Sequence, residues 1–305
     1  MTRRELLAGT LAASALAARN KIDRTRISAI TDEIAVSPED AIAFALQYKL
    51  QWVELRAVPG KKGAEYAFMP EAEVKAAAAA FKRNGLGVSF LNSSLLKFPW
   101  PGTEPARQRQ ETPEARAKRL ERESARFNQR MDDLRKALNA AHILEVDKVR
   151  VFTGTRVAEP GKLFPRIIDV LGEMAFAAEK EKVHLLIENE GSCNVATSAE
   201  VAELLQGLSS KWIGINWDPL NETGHQEVPF PDGYNRLPKK RIGNVQIKGK
   251  SLLDDQQRLD WKAIFASLVK DGYAGKVGLE THYFDGTLIE KSHLSMREIL
   301  RIAES

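Results

Sequence analysis

The 305-residue chain sets 45 Lys and Arg against 41 Asp and Glu, a formal charge of +4, with 43% apolar and 28% charged residues. That balance is ordinary for a globular protein and provides no dense basic face, so no nucleic-acid partner is expected. The one cysteine, Cys193, excludes an intrachain disulfide and any cysteine-based metal or redox motif; it is expected as a small loop or core residue.

The chain opens with MTRRELLAGTLAASALAA, in which Arg3 and Arg4 precede a short apolar, alanine-rich run with Ala-x-Ala sites. This is the pattern of a twin-arginine signal peptide. Residues 1–20 are therefore set apart, residues 21–305 are read as one domain, and a periplasmic or otherwise exported location is expected. The apolar run is too short to span a bilayer, so no stable membrane insertion is expected.

Strand-like and helix-like segments then alternate. RISAIT (26–31) reads as a strand, and Ser37–Pro38 opens a helix. QWVELR (51–56) is a second strand, residues 71–85 an alanine-rich helix, and LGVSFLN (86–92) a third strand. Residues 113–141 carry many charges, but Leu120, Phe127, Met131, Leu134 and Leu138 recur at helical spacing, which predicts one long amphipathic helix. VDKVRVFTG (146–154), VHLLIEN (183–189), WIGINWD (212–218), IGNVQIK (242–248) and GKVGLETH (275–282) supply five more strands. Between them lie a helix stripe from Phe164 to Ala178, a capping box at Thr197 and Glu200, and a stripe from Trp261 to Leu268; residues 285–303 form a last helix.

Eight strand–helix pairs in alternation predict an α/β fold, a single (β/α)8 TIM barrel. A doubly wound open sheet is the alternative, but no Gly-rich dinucleotide fingerprint follows the first strand. In such barrels the active site lies at the C-terminal ends of the strands. Those ends carry Glu188, Asp218, Gln246 with Lys248, and Glu280 followed by His282. Alternation puts Gly214, Asn216 and Asp218 on one face, and Asn244, Gln246 and Lys248 on another that is wholly polar. Three carboxylates at one patch repel, and a divalent cation relieves them; oxygen ligands in this number favour Mn²⁺ or Mg²⁺. Rim ion pairs with Lys or Arg are the plainer alternative.

LLIENEG, NWDPLNETG, PDGYNRLPKKRIGNVQIKGK and WKAIFASLVKDGYAGKVGLETH resemble the xylose-isomerase-like TIM-barrel family of sugar phosphate isomerases and epimerases, from ISAITDEI to the last helix. The resemblance implies a metal held by Glu188, Asp218, Gln246 and Glu280. The family's strand-seven histidines are Asn244 and Gln246 here, its aspartate is Gly249, and Glu190 stands where a histidine often does. An amide in place of an imidazole makes the set all-oxygen, which favours Mn²⁺, with Mg²⁺ or Co²⁺ as alternatives, over Zn²⁺.

The implied activity is isomerisation or epimerisation of a sugar or polyol through an enediolate, with Glu188 and Glu280 exchanging protons and Lys248 stabilising the oxyanion or pairing with a carboxylate. Asn189, Asn221 and His282 are candidate hydroxyl contacts. Glu54 and Arg56 are expected to pair with each other or to bind substrate at the far side, and His225 to sit on a surface loop. A keto-sugar dehydratase or lyase using the same metal is the first alternative, and a non-catalytic carbohydrate-binding barrel the second. A DNA-repair endonuclease on this fold would need a cluster of metal-binding histidines, and the five present do not fall at enough strand ends. A homo-oligomer is compatible with the sequence.

Overall fold

The computed structural model describes residues 21–107 and 110–305, so the expected signal, residues 1–20, lies outside the described residues. The strands are β1 Ile27–Ala29, β2 Trp52–Leu55, β3 Gly87–Leu91, β4 Lys148–Val151, β5 His184–Glu188, β6 Ile213–Trp217, β7 Ile242–Lys248 and β8 Lys276–Glu280. All pair in parallel, in the order β1-β8-β7-β6-β5-β4-β3-β2. A parallel bridge between Ile30 and Glu54 joins β1 to β2 and closes the ring. The expected eight-stranded barrel is therefore present.

The long helices are α1 Pro38–Gln47, α2 Glu71–Arg83, α3 Pro113–Asn128, α4 Arg130–Ile143, α5 Phe164–Lys180, α6 Ser198–Gln206, α7 Trp261–Lys270 and α8 Leu288–Glu304. Local chemistry sets their starts. Ser37 accepts from the Asp40 amide at 3.1 Å with Pro38 in the first turn, and Thr197 and Glu200 form the reciprocal capping box. Each such cap contributes about 1 kcal/mol.

Two expectations need correction. The single helix over 113–141 is two helices, α3 and α4, kinked at Gln129. The alternation also lapses once: between β6 and β7 the described chain forms only short pieces, such as Pro219–Glu222 and Tyr234–Arg236. Pro229, Pro231 and Pro238 lack amide donors, and with Gly224 and Gly233 they interrupt any longer helix there.

The apolar core lies between strands and helices. Ile213, Ile215, Val277 and Leu279 face the helices as alternation predicts, all buried. The barrel interior is polar. Ser28, Glu54, Asn92, Asn216, Asn244 and Gln246 are buried there. Glu54 reaches so far across the ring that a Cβ on Gly278 would lie 2.0 Å from its Oε1, which is why β8 carries a glycine at that position.

Candidate active site

Glu188 and Glu280 end β5 and β8, Asp218 follows β6, and one carboxylate oxygen from each lies within 4.8 Å of the others. The backbone fixes each one. Asp218 caps the Pro219–Glu222 turn: its Oδ1 accepts from the amides of Leu220 at 3.0 Å and Asn221 at 3.2 Å. Asn189 clamps the Asp218 backbone from both sides, its Oδ1 accepting from the amide at 2.8 Å and its Nδ2 donating to the carbonyl at 2.7 Å. Asp218 Oδ2 is thereby left facing the barrel axis side of the cluster, where Lys248 Nζ stands 2.8 Å away.

Lys248 also lies 3.8 Å from Glu280. Arg150, buried on β4, bonds Glu188 at 2.9 Å, and Arg56 bonds Glu280 at 3.2 Å. Much of the repulsion among the carboxylates is therefore met by the chain's own cations, and the ion-pair reading of Lys248 holds. Burial would lower the Lys248 ammonium, but Asp218 and Glu280 outweigh it and raise it. Burial pushes the Asp218 carboxyl up to about 6 against the pull of Lys248. At Glu280 burial is outweighed by Lys248, His282 and Arg56, which hold it well below the usual carboxylate range.

Two buried oxygens in this region accept no hydrogen bond, Glu280 Oε2 and Gln246 Oε1, and Asp218 Oδ2 has the Lys248 ammonium as its one close partner. Unsatisfied buried acceptors are costly and call for a partner. The polar face of β7 thus fits a cation-binding role. Lys248 pairs in register with Glu280 and Gln246 with Gly278, one inward step deeper. The Gln246 amide nitrogen is committed to Glu54, at 2.7 Å, which leaves the carbonyl oxygen as its open atom. The donor set of carboxylates and an amide suits a hard or borderline divalent ion.

Glu54 does not pair with Arg56, contrary to expectation, and it is fully buried in the barrel interior. It accepts instead from Ser28, Asn92, Asn244 and Gln246. Burial pushes its carboxyl upward, and these neutral donors offset only part of that. Arg56 is at the mouth, held by Asp32, Glu33 and Glu280. Two expected hydroxyl contacts are also spent on the protein. Asn189 is the clamp described above, and Asn221 bonds Lys248 Nζ at 2.5 Å and the Asn189 carbonyl at 2.9 Å. His282 does reach the mouth, about two-fifths exposed, with Nδ1 3.6 Å from Glu280 and 3.8 Å from Glu33. Burial would lower its imidazole, but Glu280 and Glu33 outweigh it and raise it to about 9. His225 bonds the Gly191 carbonyl from its loop. Burial pushes the Cys193 thiol up to about 12, which excludes it as a nucleophile near neutral pH.

Glu33 and Arg150 belong to the site and carry no motif. Each has a signal in the sequence: Glu33 lies just after β1, as Glu280 ends β8, and Arg150 is a charge between Val149 and Val151 near the C-terminal end of β4.

Residues 42–302 match the model of the xylose isomerase-like TIM barrel family. The chain belongs to that family. Solved structures similar to this xylose isomerase-like barrel are an IOLI protein with a binding zinc atom, at 15% identity and TM-score 0.66, covering 92% of this chain and 98% of that one. The D-allulose 3-epimerase from Methylomonas sp. in complex with D-allulose has 13% identity and TM-score 0.64, with 93% and 98% covered. The probable 3-DHS dehydratase AsbF from Bacillus anthracis has 12% identity and TM-score 0.63, with 90% and 98% covered. No curated protein matches the chain by sequence. The same fold is shared by solved structures of a sugar epimerase, a 3-keto-D-glucoside 4-epimerase and a probable dehydratase. Among the described residues no helix is long and apolar enough to cross a membrane.

Proposed function

We propose that this barrel is a divalent-metal-dependent isomerase or epimerase of a sugar or polyol. The observation that carries the reading is the convergence of Glu188, Asp218 and Glu280 within 4.8 Å at the barrel mouth, with acceptor oxygens left unpartnered there. Glu188, Asp218, Gln246 and Glu280 would hold the ion, and their all-oxygen chemistry favours Mn²⁺ or Mg²⁺. When bound, such an ion polarises a carbonyl and stabilises an enediolate.

The chain supplies the rest. Glu188 and Glu280 come from non-adjacent strands, so they address a substrate from two sides and can remove and return a proton beside its carbonyl. Glu280, whose Oε2 accepts no hydrogen bond, is the proposed acceptor of that proton. Lys248, buried and held charged by Asp218 and Glu280, donates to the oxygen on which charge develops. His282 and Arg56 keep Glu280 ionised and present donors at the rim. Export through the twin-arginine route is part of the proposal and rests on Arg3, Arg4 and the alanine run alone.

Metal analysis of the purified protein, beside proton exchange from keto sugars in deuterated water, tests the reading. Stoichiometric Mn²⁺ or Mg²⁺, metal-dependent exchange, and loss of both in Glu280→Gln support it. A wild-type protein with no divalent metal and no exchange overturns it, and loss of water from a 3-keto sugar would reassign the reaction as a lyase.

A further inference from the structure

A cleft of about 590 Å³ opens at the same end of the barrel, beyond the loops that follow β1 to β3. It adjoins the carboxylate site directly, because two of its lining residues, Arg56 and Arg150, bond Glu280 and Glu188. The mouth is therefore polarised. Its β5–β8 side presents carboxylates, and its β2–β4 side presents Arg56, Lys61, Lys62, Lys97 and Arg150.

The carboxylates lining the cleft, Asp32 and Glu65, do not balance these cations. Asp32 is held by Arg56, and Glu65 accepts from the Ser94 amide. Arg150 and Lys97 pair with Glu188 and Glu190 and both lie over the ring of Phe152, at 4.8 and 4.5 Å. Lys61 and Lys62 are exposed, and neither forms an ion pair among the described residues. Their loop is a built turn. Val58 donates to Ala64 at 2.8 Å, Lys61 donates to Val58 at 2.9 Å, and Gly60 has φ +76° with no room for a Cβ against the Val36 carbonyl. The turn thus fixes the backbone from which two exposed, uncompensated lysines project at the rim of a cleft whose inner wall holds a buried guanidinium.

We propose that this cleft receives an anionic substituent, a carboxylate or a phosphate, on the substrate whose oxygenated end meets Glu188, Asp218 and Glu280. As a statement of substrate class this rests on the functional reading above. The cleft itself can be tested without metal or turnover.

The test is calorimetric titration of the full-length, EDTA-treated protein with glucose, glucuronate and glucose 6-phosphate. At least one anionic sugar is expected to bind about tenfold or more tighter than glucose, with the margin shrinking in the Lys61→Ala/Lys62→Ala double variant and at high salt. Tighter binding of glucose 6-phosphate identifies a phosphate, and tighter binding of glucuronate a carboxylate. Equal binding of neutral and anionic sugars, no saturable binding of either anion, or a preference unchanged in a natively folded double variant overturns the proposal. A protein that shows the anion preference but neither metal nor proton exchange would lose the isomerase reading and keep the cleft. A metal-dependent enzyme without the preference would do the reverse.

Discussion

Gln246 donates its amide to Glu54 at 2.7 Å, and its carbonyl oxygen is left buried without a donor. The carboxylate beneath the site thus decides which end of the amide is available. Glu54→Ala should leave Gln246, Asn92 and Asn244 with unpaired buried donors, at a cost of about 2–5 kcal/mol measured by urea unfolding. Gln246→Ala should leave the fold intact and weaken binding of Mn²⁺ about tenfold or more, read by metal titration. Unchanged metal affinity in Gln246→Ala would remove it from the ligand set.

Lys248 lies between Asp218 and Glu280, where it would compete with a bound cation, and under the proposed function it also donates to the developing oxyanion. Lys248→Met removes the charge while keeping the stem. Metal affinity should rise, because two carboxylates lose their internal counter-ion. Turnover should fall about a hundredfold, the scale of losing one such donor. A variant with weaker metal binding would show that the ammonium organises the site rather than competing within it.

Glu222 is buried behind Asp218, with Ser198 and Trp217 donating to its Oε1 at 2.6 and 2.7 Å. Burial pushes its carboxyl up to about 8, with those donors opposing. A carboxyl raised on folding stabilises the protein fully below its unfolded value near 4.5, and that contribution is lost as pH rises through about 8. The slope from this group reaches at most ~1.4 kcal/mol per pH unit in that window. Glu222→Gln should therefore flatten stability between about pH 4.5 and 8 on the order of that slope, seen by urea unfolding across the range. Equal pH dependence in variant and wild type would refute the assignment.

The site is partly legible in the sequence. Strand side chains alternate, so the C-terminal ends of β5 to β8 marked Glu188, Asp218, Lys248 and Glu280 from residue type and parity alone. The polar face of β7 announced a polar interior. What parity could not say is which atoms meet. A polar residue beside a strand end, Asn189 reads as a hydroxyl contact, yet its amide is engaged in clamping the Asp218 backbone. Glu54 and Arg56 share a face, but one step along a strand separates the sealed barrel floor from the open mouth.

The amino-acid sequence by itself determined the strands, the caps, the barrel class and the face on which the acidic residues lie, because each follows from contacts within a few residues. Only the closed tertiary structure decided the charge balance of the mouth. Arg56 meets Glu280 across 224 residues of chain, and Arg150 meets Glu188 across a neighbouring strand. Such pairings depend on how far the strands are staggered when β1 closes onto β2 and β8, and no local pattern encodes that distance.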